Sequence, residues 1–116
     1  MGGTARFRPD ERIRRRAEYQ KIYQKGFRLN GRFSTIFFLP NHQQTGRLGI
    51  AATKKFGGAV QRNRAKRLIR EVFRHNKLAP GFDVVVVPRR GLLETSLTIL
   101  EADYRATLER RPRDRR

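Results

Sequence analysis

The run Lys54-Lys55-Phe56-Gly57-Gly58-Ala59-Val60-Gln61-Arg62-Asn63-Arg64-Ala65-Lys66-Arg67-Leu68-Ile69-Arg70 concentrates side chains that hold phosphate rather than side chains that break bonds. A guanidinium grips phosphate through two parallel hydrogen bonds, whereas an ammonium acts as a point charge. Past Gly57-Gly58 the apolar residues Ala65, Leu68, Ile69, Val72 and Phe73 recur at helical spacing and form one stripe. At about 100° per residue, Asn63, Lys66, Arg67, Arg70 and Arg74 then share the opposite side, with Arg62 and Arg64 flanking it at the first turn. The start of such a helix adds unpaired N–H groups and the positive end of its dipole, and the glycines let a phosphate backbone come close. Glu71 is the only acid between residues 54 and 77. A helix face that was merely solvated would normally mix signs, so this one is read as waiting for phosphate.

Groups suited to bond cleavage are scarce by comparison. There is no cysteine, which removes disulfides, thiolate metal sites and a cysteine nucleophile together. His42 and His75 stand in no catalytic or metal-binding spacing and are read as surface residues. The ten acids show no metal-ligand motif, which argues against a self-sufficient nuclease. The expectation is therefore no catalytic residue and no metal on the protein.

The whole chain has the electrostatics of a polyanion partner. In 116 residues, 28 Lys and Arg against 10 Asp and Glu leave a formal charge of +18, and 22 of the cations are Arg. That exceeds what solubility asks of a small domain and favours nucleic acid over an acidic membrane. No apolar run approaches the roughly 20 residues of a membrane span, and Met1 to Arg6 lacks a signal peptide's apolar stretch, so a cytoplasmic protein is expected. The length suits one domain, with an ordered core over about 13–110 and basic tails at 1–12 and 111–116.

The elements that must position these groups follow from pattern. Tyr19, Ile22 and Tyr23 fall at i, i+3 and i+4 in a short helix from Arg15 to Lys25, stopped by Gly26, with Ile13 packing ahead of it. Phe33 to Leu39 reads as a strand, Asn41 to Gly46 as a polar loop, and Arg47 to Lys54 as a strand. In that second strand Leu48, Ile50 and Ala52 alternate with Gly49, Ala51 and Thr53, so one face is nearly bare and permits close approach. The basic helix spans Ala59 to Asn76, and Leu78-Ala79-Pro80-Gly81 turns the chain. Phe82 to Val87 is a continuous β-branched run expected in mid-sheet, and a last helix starts at a Thr98–Glu101 capping box. Helices and strands thus follow in the order α-β-β-α-β-α at minimum.

The Arg62-Asn63-Arg64 run with its flanks, Arg47-Leu48-Gly49-Ile50 before it and Ala17-Glu18-Tyr19-Gln20-Lys21-Ile22-Tyr23-Gln24-Lys25-Gly26 near the start together resemble the bacterial ribonuclease P protein subunit. The resemblance covers about residues 13–110. It implies an α+β fold in αβββαβα order, a mainly four-stranded single-layer sheet packed with three helices, and a left-handed βαβ crossover, although most crossovers are right-handed. One further strand is expected from the 28–40 region or the loop after it. The resemblance also implies two partners, the ribonuclease P RNA and precursor tRNA. Catalysis would then belong to the RNA subunit and its magnesium.

Carried over by position, Lys54, Lys55, Arg62, Asn63, Arg64, Lys66, Arg67 and Arg70 would face the RNA subunit. Tyr19, Tyr23 and Phe33 would line a cleft for the 5′ leader. Aromatic platforms beside cations suit a single strand of variable sequence, since every base offers a stacking face. Tyr19 and Tyr23 also fit as core residues of a short helix. Where some family members place a cleft tyrosine this chain has Ile36, for which Phe38 could substitute, and Gly58 replaces the asparagine that caps the basic helix in some members. A ribosomal or other structural RNA-binding protein is the nearest rival reading, and phosphate attraction alone would equally suit DNA.

Overall fold

The computed structural model describes residues 8–77 and 80–110. The expected tails at 1–7 and 111–116, and Leu78 and Ala79 of the expected turn, lie outside the described residues. The chain runs through α1 (Arg16–Lys25), β1 (Phe27–Asn30), β2 (Ser34–Pro40), β3 (Arg47–Ile50), α2 (Ala59–His75), β4 (Phe82–Pro88) and α3 (Leu97–Glu109). Short 3₁₀ turns occupy Pro9–Glu11 and Arg90–Glu94.

The four strands form one sheet in the order β1-β2-β4-β3. β4 pairs antiparallel with β2 and parallel with β3, and α2 makes the connection between those parallel neighbours. The uninterrupted valines of β4 are explained by helices on both sides of the sheet. Val84 and Val86 pack beneath α2 and α3 with Ile36, Phe38, Leu48, Ile69 and Leu100, whereas Val85 packs on the other face with Ile13 and Ile22. A strand covered on both faces has no reason to alternate.

Several boundaries differ from the sequence expectation, among them the end of β3, which stops at Ile50 rather than Lys54 as the chain turns toward α2. β1 is a strand of its own, antiparallel to β2 in the register Arg28 to Phe37, and supplies the extra strand. The first helical residue of α3 is Leu97, because the Ser96 side chain accepts the Ile99 N–H at 3.2 Å, and Thr98 lies inside the helix. A serine oxygen two residues earlier satisfies an orphan donor just as well. Residues 8–12 belong to the fold rather than to a tail: Glu11 is buried and Arg12 bridges in parallel to Leu48.

Two glycines are required by close approach. A Cβ on Gly26 would lie 2.5 Å from the Ile22 carbonyl oxygen and 2.7 Å from that of Phe38, so only glycine lets α1 turn straight into β1. A Cβ on Gly49 would lie 2.7 Å from the Tyr19 hydroxyl, so the bare face of β3 is where α1 sits down. At the far end of the hairpin, the Asp103 carboxylate on α3 accepts the N–H groups of Arg32 and Phe33 at 3.1 and 3.3 Å and fixes the β1–β2 turn.

Candidate nucleic-acid interface

α2 divides as its periodicity requires. Ala65, Ile69, Val72 and Phe73 are buried, while Asn63, Arg64, Arg67 and Arg70 are exposed and Lys66 is half-buried. Asn63, Lys66, Arg67, Arg70 and Arg74 come together along an open groove of about 670 Å³, whose remaining lining is Arg12 and Glu71. Glu71 pairs with Arg74 at 3.1 Å, and its charge is a minority in that groove. Arg62 and Arg64 stand outside this lining, and Arg62 donates from Nη1 to the Gly57 carbonyl at 3.1 Å. Gly58 is the N-cap, without a side-chain hydrogen bond. Lys54 and Lys55 are exposed on the turn before the helix, and Phe56 packs that turn onto the core.

The aromatic residues sit on the other face of the sheet, along α1. The Tyr19 ring lies over Gly49, where its hydroxyl accepts the Ile50 N–H at 3.2 Å and donates to the Ile13 carbonyl at 3.4 Å. Burial raises the Tyr19 pKa, opposed by the Ile50 N–H bond and the nearby Arg70 charge. Tyr19 is thus partly a structural residue that closes the edge of β3. Tyr23 is 38% exposed and meets Phe37 edge-to-face at 4.9 Å between centroids, with Arg28 5.8 Å from the Phe37 ring centre. Burial, and next to it Tyr19, raise the Tyr23 pKa.

Three of the residues expected beside the 5′ leader do not share the face of α1. Ile36 and Phe38 are 0% exposed and Phe33 is 8% exposed, and all three belong to the core beneath α2 and α3. Their side chains leave no face for a base, and Phe38 packs instead against Phe27 and Phe82 at 5.5 and 5.7 Å. The residue overlooked is Phe37, which points to the α1 side in register with Val85. Strand parity carries the reason: Ile36 and Phe38 share one face, and Phe37 between them has the other.

A charged brace holds α1 against the sheet. Arg47 grips the Asp83 carboxylate through Nε at 2.8 Å and Nη2 at 2.7 Å, and reaches Glu18 on α1 through Nη1 at 3.1 Å. Asn41 donates to the same Asp83 at 3.0 Å and ties in the β2–β3 loop. The Asp83 hydrogen bonds push the Arg47 pKa well above its ordinary value. For Glu18, burial pushes the carboxyl upward, but the Arg15 N–H and Arg47 outweigh it and the pKa is lowered. The two surfaces meet at the edge of β3, where Tyr19, Lys66, Arg70 and Arg12 line one niche of about 140 Å³.

Among the described residues, no three His, Asp or Glu side chains converge where they could hold a metal ion, and no helix is long and apolar enough to cross a membrane.

The chain matches the family model described as Ribonuclease P over residues 7–111. The ribonuclease P protein component of Thermotoga maritima is 41% identical over 93 residues, 78% of this chain and 80% of that protein. The component from Syntrophobacter fumaroxidans is 43% identical over 94 residues, 78% and 79% of the two chains. The solved ribonuclease P protein of T. maritima superimposes with a TM-score of 0.79 at 35% identity, covering 88% of this chain and 98% of that one. The Staphylococcus aureus protein gives a TM-score of 0.75 at 32% identity over 85% and 93%. With the basic groove, the mixed sheet and these relatives in agreement, the chain belongs to the ribonuclease P protein component family, whose work is tRNA processing.

Proposed function

We propose that this chain binds a catalytic ribonuclease P RNA through the basic face of α2 and holds the 5′ leader of precursor tRNA in the cleft of α1 and β2. It thereby assists RNA-catalysed, magnesium-dependent endonucleolytic removal of the leader, which leaves the mature tRNA 5′ end. The observation that carries this reading is the junction of the two surfaces: a groove of Asn63, Lys66, Arg67 and Arg70 opens beside Tyr19, and the exposed Tyr23, stacked edge-to-face on the half-buried Phe37, lies further along α1. Cations neutralise phosphate and favour RNA packing, while an exposed ring accepts any base. The magnesium is the RNA subunit's, and the protein takes no cofactor of its own. We place the protein in the cytoplasm.

The test is cleavage of precursor tRNA by cognate RNA alone, by protein alone and by both, across magnesium concentrations. The expected result is no cleavage by the protein and a lower magnesium requirement for the RNA when protein is present. RNA-independent, metal-dependent cleavage by clean protein would refute the assignment. Recovery of ribosomal RNA alone with the protein purified from its host would favour the rival reading.

A further inference from the structure

The segment ahead of α1 is pinned at both ends. Glu11 is only 4% exposed, accepts the Arg8 N–H at 2.7 Å and pairs with the Lys77 ammonium, just past α2, at 3.0 Å. Two residues on, Ile13 is buried and donates its N–H to the Leu48 carbonyl at 2.9 Å. Burying a carboxylate costs several kcal/mol unless it is paired, so Lys77 gives Glu11 a definite position. The backbone between these anchors has no slack, and Arg12 is held on the edge of β3 facing α2. It lines both the groove of α2 and the niche under Tyr19, which share Lys66 and Arg70.

We infer that residues Arg8–Ile13 form a strap that is the second wall of the RNA groove, with Arg12 gripping the same phosphodiester strand of the RNA subunit as Lys66 and Arg70. The inference rests on the reading that α2 binds that RNA. Facing cations fix a strand between them, whereas a single helix face only attracts it. The buried Glu11 is then the anion that builds a cation site: it gives up one unit of positive charge and in return orders Arg12.

Glu11→Gln separates this from general charge attraction, because it makes the protein more positive by one charge. Attraction alone predicts equal or tighter RNA binding, and the strap predicts weaker binding. Each phosphate contact scales affinity by about the −0.9 power of salt concentration, so losing one at 0.15 M costs roughly fivefold and lowers the salt slope by about 0.9. The full-length protein would be titrated with its cognate ribonuclease P RNA over a salt series, beside Arg12→Gln and Lys66→Ala/Arg70→Ala. Both Glu11→Gln and Arg12→Gln are expected to lose about fivefold with the shallower slope. If Glu11→Gln fails to fold, Arg12→Lys at this exposed position decides alone: it keeps the charge, so attraction predicts unchanged binding, whereas loss of the two-bond guanidinium grip predicts weaker binding. Unchanged or tighter binding, or a loss seen only with leader-bearing substrate, overturns the strap. If Lys66→Ala/Arg70→Ala is also without effect, the α2 reading itself falls; if that variant weakens and the strap variants do not, only the strap falls.

Discussion

Replacing Tyr23 by leucine separates a ring that reads substrate from a ring that fills the core. Tyr23 is 38% exposed, and the buried anchor of α1 is its neighbour Ile22, so leucine keeps the covered part of the side chain and removes only the aromatic face. Inside the protein the change loses the edge-to-face contact with Phe37. Such a pair is worth about 0.5–1.5 kcal/mol beyond its area, a modest fall in stability. On the substrate the change loses one base stack, about 1–3 kcal/mol, or roughly 5- to 150-fold in affinity. The assay is the dissociation constant of the reconstituted holoenzyme for precursor tRNA with a leader of several nucleotides and, separately, for mature tRNA. Leader-bearing substrate should weaken within that range while mature tRNA and RNA-subunit assembly stay nearly unchanged. Phe37→Leu should follow the same pattern, since both rings face one cleft. Equal loss of both tRNAs, or an unfolded Tyr23→Leu protein, would show that these rings serve packing alone.

Phe38→Ala should instead lower stability by about 3–5 kcal/mol in urea denaturation, because it empties the fully buried position beneath α2; whatever remains folded should keep its leader preference, and a selective loss of leader binding would return Phe38 to the cleft. Gly49→Ala puts a Cβ 2.7 Å from the Tyr19 hydroxyl and should cost about 1–3 kcal/mol by pushing α1 outward, read as a lower denaturation midpoint. The lowered Glu18 pKa means that its ionised form stabilises the fold fully above the ordinary value of 4.5, and that this contribution is lost as pH falls through the folded-state pKa. Urea midpoints of wild type should therefore drop more between pH 6 and pH 3 than those of Glu18→Gln, and parallel curves would remove the Arg47 brace from the acid response.

What was legible in the sequence was what one face of one element decides. The stripe of α2 needs only helical geometry, and the cations of its far side follow from the same angle, so Asn63, Lys66, Arg67 and Arg70 were found together. The valine run of β4 and the bare strand face at Gly49 were equally readable, because burial on both sides and close approach each leave a compositional mark. β2 was not readable in this way. With helices above and below, Ile36, Phe37 and Phe38 are all apolar, and alternation no longer says which of them faces the cleft. β1 was implied only by the family resemblance, because a four-residue edge strand with mostly exposed side chains leaves almost no pattern of its own. The Glu11 anchor was hidden for a different reason: an acid in a basic N-terminal stretch looks solvated until its partner, 66 residues away, is brought beside it.

The strand order has a consequence for how the chain is made. β4 lies between β2 and β3, yet of these four strands it is the last to leave the ribosome. Until residue 88 has emerged, the β1–β2 hairpin and β3 have no common neighbour, and the turn of that hairpin still lacks the carboxylate of Asp103. Closing such distant contacts is slow because the loop entropy must be met before any contact rewards it. The sheet is therefore completed by insertion from the middle, and the cationic stretch ahead of β4 spends its first moments as an unfinished fold amid cellular RNA.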